Sequence, residues 1–222
     1  MARFLTCHGL LRRLLFGVAV LAPLLAALLP VWGLKACRGP VRLAQDKTRV
    51  LPGIMLWAWE RPEDLRFIDS KAVGVAFLSW TCRLKGGEVL RRPRLSPLQV
   101  PPGAILEAVV RIECDAYQPP ALSARQMREL IEIIGRAART HGVRALQIDF
   151  DARRSQRAFY KELLQKLRGV LPEQLVLSIT ALSSWCMYDS WVSGLPVDEI
   201  VPMVFRMGID HDRIHSDLRK HG

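Results

Sequence analysis

Six short apolar runs recur at residues 54–59, 73–80, 104–114, 145–150, 174–182 and 199–205, several of them separated by amphipathic stretches. This rhythm constrains the fold most, because strands alternating with helices build a parallel α/β sheet. Residues 62–68 read as a short helix with Pro62 at an allowed early position. Ser123 with Gln126 three residues on has the form of a capping box. It opens a helix with Met127, Leu130, Ile131, Ile134 and Ala138 as its apolar stripe, ended at His141-Gly142 with glycine as the C′ residue. Phe159, Leu163, Leu167 and Val170 mark one face of the next helix, stopped near Pro172. Residues 81–103 read as a long loop or a small hairpin insertion turning at Lys85-Gly86-Gly87-Glu88, and residues 209–220 as a polar helical end. No glycine-rich dinucleotide loop follows the first strand, which favours a (β/α) barrel over a Rossmann fold. The expected class is therefore α/β, a TIM-barrel-like (β/α) fold, incomplete with about six β/α units where a full barrel has eight. A truncated product, a barrel closed by irregular means and an open sheet all remain open.

Ahead of this series, residues 14–34 carry no charge, with Arg3, Arg12 and Arg13 before them. A run of about 21 apolar residues is long enough to span a bilayer. The expectation is a signal peptide or N-terminal membrane anchor over residues 1–35, a basic linker over 36–50, and the barrel-like domain over 51–222. Localisation is then the cell envelope, either anchored in the inner membrane or periplasmic or secreted. The net charge of +11 is scattered rather than gathered in one block, and no zinc-finger, basic-zipper or RNA-binding signature accompanies it. Nucleic acid is thus not an expected partner. Five cysteines include no CxxC pair, which argues against structural zinc. Cys82 and Cys114 each close a predicted strand, and an exported protein could join them. His211 and His215 lie four residues apart but without the glutamate of a zincin, so no metal is expected; no cofactor is expected either.

The run Ala145-Leu146-Gln147-Ile148-Asp149-Phe150-Asp151 carries the chemistry. Alternation puts Asp149 and Asp151 on one face of a strand end, a costly place for two like charges unless a site uses them. In a barrel, functional residues gather at the C-terminal ends of strands. Asp151 is the candidate proton donor or base, Asp149 its support and Glu113 the second carboxylate. Trp57, Trp59, Trp80 and Trp185 are candidate sugar-stacking residues, and Arg206 a candidate for neutralising the cluster or holding an anionic group. Carboxylates do the acid–base work of glycoside hydrolysis and indoles stack on sugar faces.

The runs LWAWERPEDL, ALQIDFDA, VLSITALSSWC and DEIVPMVFRMG together resemble a bacterial family labelled domain of unknown function 3142 (DUF3142), over roughly residues 51–208. The resemblance implies a TIM-barrel protein distantly similar to glycoside hydrolases, without an assigned activity. The fourth strand is also similar to the D-G-x-D-x-D-x-E motif of family 18 glycoside hydrolases. Asp149 and Asp151 match its inner aspartates, but Leu146, Gln147 and Arg153 stand at its first Asp, its Gly and its catalytic Glu. The reading is an envelope protein with a glycosidase-like domain that acts on or binds glycans. Its partners are a glycan and, through the N-terminal segment, the membrane. The alternative is a non-catalytic carbohydrate-binding or scaffold protein.

Overall fold

In a computed structural model, residues 47–189, 191–205 and 211–221 are described. The expected membrane segment, most of the linker and Arg206 lie outside these residues. Among them, no helix is long and apolar enough to cross a membrane.

Six parallel strands form the sheet in chain order: β1 (Ile54–Ala58), β3 (Val73–Lys85), β6 (Leu106–Cys114), β7 (Val143–Asp149), β8 (Val176–Leu182) and β9 (Glu199–Met203). β4 (Glu88–Pro93) pairs antiparallel with β3. Strands laid down in sequence by crossovers of one hand keep their connections on one side, so the sheet curls into a half-barrel. Helices α1 (Ala124–Ala138) and α2 (Arg157–Val170) cover the outer face. Leu146, Ile148 and Phe150 of the β7 region pack there with Leu130, Ile133 and Ile134 of α1 and Tyr160, Leu163 and Leu167 of α2. Each such side chain contributes about 1.5–3 kcal/mol by leaving water. Val170 departs from the expected stripe and is exposed at 61%.

The capping box forms as expected. Ser123 Oγ accepts from Gln126 N, and Ser123 N donates to Gln126 Oε1. The same buried Gln126 donates through Nε2 to the carbonyls of Gly86 and Glu88, pinning α1 to the turn of the β3–β4 hairpin. The C-cap is Arg139, so Gly142 is not the C′ residue. It lies three positions further on at φ +81°, where it turns the chain into β7.

The helix expected over 62–68 does not form. Its place is taken by β2 (Glu63–Asp64), which pairs with β5 (Leu98–Gln99). The N–H groups of Glu63 and Leu65 donate to the carbonyls of Pro97 and Gln99, and the Asp64 and Asp69 carboxylates accept from the N–H groups of Arg66 and Lys71. With these donors taken by other partners, no helical ladder can start. The 81–103 segment is a hairpin, and β3 runs on through it to Lys85.

Cys82 and Cys114 lie on neighbouring strands but are not joined. Cys82 stands opposite Ile112, and Cys114 opposite Leu84. A two-residue offset across adjacent strands separates Cα atoms by about 8 Å, beyond the reach of a disulfide at about 7 Å. Burial also pushes the Cys82 thiol up to about 12.

Candidate active site

The inner face of the sheet is polar where the outer face is apolar, and register decides which polar groups meet. Arg92 of β4 stands opposite Thr81 of β3, Thr81 opposite Arg111 of β6, and Arg111 opposite Asp149 of β7. One step toward the C-terminal edge, Arg83 stands opposite Glu113. Cross-strand partners share a face, so one row across four strands reads cation, hydroxyl, cation, carboxylate.

Arg111 is the hinge of this array. Its Nε lies 3.1 Å from Glu113 Oε1 and 3.8 Å from Asp149 Oδ2. Its guanidinium sits 5.7 Å from the Trp59 ring centre. Glu113 also accepts from Arg83 Nη2 at 3.2 Å through its other oxygen. A carboxylate engaged by guanidinium on both oxygens is suited to be a fixed anion rather than a proton donor. Asp149 accepts from Thr180 Oγ1 at 2.8 Å. Burial lifts its carboxyl above the ordinary aspartate value; the Thr180 hydroxyl opposes this, the Asp151 charge adds to it, Arg111 opposes it and Glu113 adds to it. Asp151 stands two residues past the strand end, in a three-residue turn closed by Ala152 N donating to Phe150 O at 2.8 Å, and is exposed. The turn after it is tied down by Gln156, whose Oε1 accepts from Arg153 N and whose Nε2 donates to Cys114 Sγ.

On the opposite wall Trp57 and Trp59 stack at 5.5 Å between ring centres and 11° between planes, and Phe205 meets Trp57 edge-on at 6.4 Å. Period two along β1 puts both indoles on one face. Arg94 holds this strand end by donating to the carbonyls of Ala58, Trp59 and Arg61. The two walls enclose a cleft of roughly 410 Å³ lined by Trp57, Trp59, Arg111, Glu113, Asp149, Asp151 and Arg153, among others.

Of the residues singled out in the sequence, Asp149, Asp151, Glu113, Trp57 and Trp59 thus come together. Trp80 and Trp185 do not line this cleft. The β3–β6 register shifts between Leu78 and Trp80, and Trp80 then pairs with Val110 and packs against the outer core. An extra residue in one strand reverses the face that follows. Trp185 lies on α3 (Ser183–Tyr188), buried at 5% exposure, with Trp191 edge-on at 5.0 Å and the Arg157 guanidinium at 5.8 Å. Arg111, Thr180 and Phe205 were not singled out. Arg111 sits two residues before Glu113, so period two alone could have found it; Thr180 becomes a partner only once β7 and β8 are paired.

No curated protein matches the chain. Solved structures similar to it include two from spore proteins. The Bacillus cereus spore cortex-lytic enzyme SleL is 17% identical with a TM-score of 0.44, over 68% of this chain and 42% of the other. The chitinase domain of the spore coat protein CotE from Clostridium difficile is 13% identical with a TM-score of 0.39, over 60% and 44%. The chain therefore spans less than half the length of either. Residues 103–207, from the approach to β6 to just past β9, match the model described as Domain of unknown function (DUF3142).

Proposed function

We propose that this protein acts on glycans, holding a sugar against Trp57 and Trp59 and presenting Asp151 to a glycosidic oxygen. The observation that carries this reading is one cleft with a stacked tryptophan pair on one wall and three carboxylates on the other. Indoles give sugar rings an apolar platform, and hydrolysis of a glycosidic bond needs a proton delivered to the leaving oxygen. Asp151 is exposed and lines the cleft, so an incoming sugar can reach it. Asp149, fixed by Thr180, and Glu113, fixed by two arginines, supply the negative field that an oxocarbenium-like transition state calls for. The envelope location expected from residues 1–35 is part of the proposal, and membrane fractionation of expressing cells tests it.

The second reading is a binding protein without turnover. Arg153 lines the cleft at the place where the family 18 motif carries its acid, and a guanidinium cannot deliver a proton there. One experiment separates the two. The full chain is assayed against a panel of 4-nitrophenyl glycosides and oligosaccharides, with binding followed in parallel. Asp151→Asn should lower turnover by about 10²- to 10⁴-fold, the range for loss of a general acid, while leaving ligand binding in place. Turnover unchanged by the substitution overturns the assignment of Asp151; binding with no turnover in the unaltered chain establishes the second reading.

A further inference from the structure

A second group of oxygens lies beneath the acid pair. Gln147 and Ser178 stand two residues before Asp149 and Thr180, hence one layer deeper on the same inner face. Gln147 is opposite Ser178, and Ser178 opposite Glu199, in one cross-strand row. Glu107 enters from β6, one step nearer the N-terminal edge. It stands opposite Ala145, whose methyl group leaves the longer side chain room to cross β7. β6, β7, β8 and β9 thus supply one side chain each to the group. None of the four lines the cleft.

The group is short of hydrogens. Gln147 Nε2 donates to Ser178 Oγ at 3.1 Å, and Ser178 Oγ donates to Glu199 Oε2 at 2.9 Å. The same hydroxyl faces Glu107, so one hydrogen serves two carboxylates. Glu107 and Gln147 are 2% and 1% exposed, and Oε1 of each has no hydrogen-bond partner. Reversing the Gln147 amide does not cure the shortage, because two amide hydrogens and one hydroxyl hydrogen still face six oxygens. Lys47 and Arg168 are taken by Asp198 at the start of β9. Among the described residues neither Glu107 nor Glu199 has an ion pair. Buried acceptors in such surplus call for a proton or a cation.

We infer that Glu107, Gln147, Ser178 and Glu199 form a calcium site that ties four neighbouring strands together beneath the cleft. Two carboxylates, an amide carbonyl and a hydroxyl are all hard oxygen donors, and calcium takes about six to eight such oxygens in a flexible arrangement. Magnesium keeps several of its waters, which suits so closed a place less well. Softer metals look for nitrogen or sulfur, and among the described residues no three His, Cys, Asp or Glu side chains gather to hold one. Glu199, half-buried as the first residue of β9, is the way in. Without the cation, a proton on Glu107 takes its place.

The test strips the full chain with EDTA and titrates it with calcium chloride at pH 8, following uptake by calorimetry and stability by thermal melting. One calcium ion per chain should bind and raise the thermal midpoint, and magnesium chloride should bind more weakly. Glu107→Gln keeps the shape of the side chain and removes its charge. It should weaken calcium binding by at least about 10- to 100-fold, the range for changing groups that merely orient metal ligands. Glu199→Gln, at a half-buried position that tolerates change, should show the same loss, and melting of both variants in EDTA separates loss of binding from loss of fold. Asp151→Asn alters the cleft alone and should leave uptake unchanged. No uptake by the unaltered chain, or uptake that both glutamine variants retain, overturns the site. Uptake lost in Asp151→Asn and kept in Glu107→Gln places the ion in the cleft and overturns it as well.

Discussion

Glu107 shows how far the inner face of this sheet departs from an ordinary core. It lies on β6 at 2% exposure, and neither its Oε1 nor Gln147 Oε1 has a hydrogen-bond partner. Ser178 Oγ accepts from Gln147 Nε2 at 3.1 Å and donates to Glu199 Oε2 at 2.9 Å, so its one proton is spent. Burial, then the Glu199 charge, push the Glu107 carboxyl from 4.5 up to about 8, against the Ser178 hydroxyl. The folded state therefore keeps a proton that the unfolded chain releases between those two values, and stability declines as pH rises through that window. The thermal midpoint should fall from pH 5 to pH 8. Glu107→Gln should lose most of this slope and be more stable at pH 8 by on the order of a few kcal/mol. Asp149 and Glu199, both raised first by burial, act in the same direction. Calorimetry across that range checks it, and a wild-type midpoint that is flat or rises with pH would refute the assignment.

At the scale of elements, the hairpin and α1 behave as one unit because Gln126 serves both. Its Oε1 closes the capping box, and its Nε2 satisfies two carbonyls of the hairpin turn. Gln126→Ala should destabilise the fold by about 1–3 kcal/mol, the cost of leaving buried polar groups unpaired. Ser123→Ala should cost about 1 kcal/mol, since it removes the cap alone. Urea denaturation of both variants ranks them, and a larger loss for Ser123→Ala would contradict the shared role of Gln126. The capping box was legible from spacing because it is local. The second task of Gln126 was not, because it depends on a turn 40 residues earlier. The segment at 62–68 went the other way: its early proline suggested a helix, while the donors a helix needs were taken by residues 97–99.

At the scale of the molecule, one core joins the sheet to both helices. Leu163 of α2 is fully buried in it. Leu163→Ala should cost about 2–5 kcal/mol. Tryptophan fluorescence, which reports the packing of indoles on both faces of the sheet, and far-UV circular dichroism, which reports the helices, should shift together. Separate transitions would mean that side-chain packing and the helix layer are lost independently. The order of the six parallel strands was legible because consecutive β/α units pair as neighbours. The acidic pair at Asp149 and Asp151 was legible because strand alternation is a property of the backbone. Arg111 opposite Asp149, Thr180 beneath it, Trp80 turned to the outer core after the register shift and Trp185 sealed among aromatics all depend on which residue of one strand faces which of the next.

The sequence by itself therefore determined where the six parallel strands lie and that two carboxylates on one face close the fourth of them, because these follow from local geometry. Only the tertiary structure decided that those carboxylates share a cleft with Trp57 and Trp59 across an arginine, and that Trp80 and Trp185 stay out of it. Those are matters of register between strands distant in the chain, and register is set by the packing of the whole sheet.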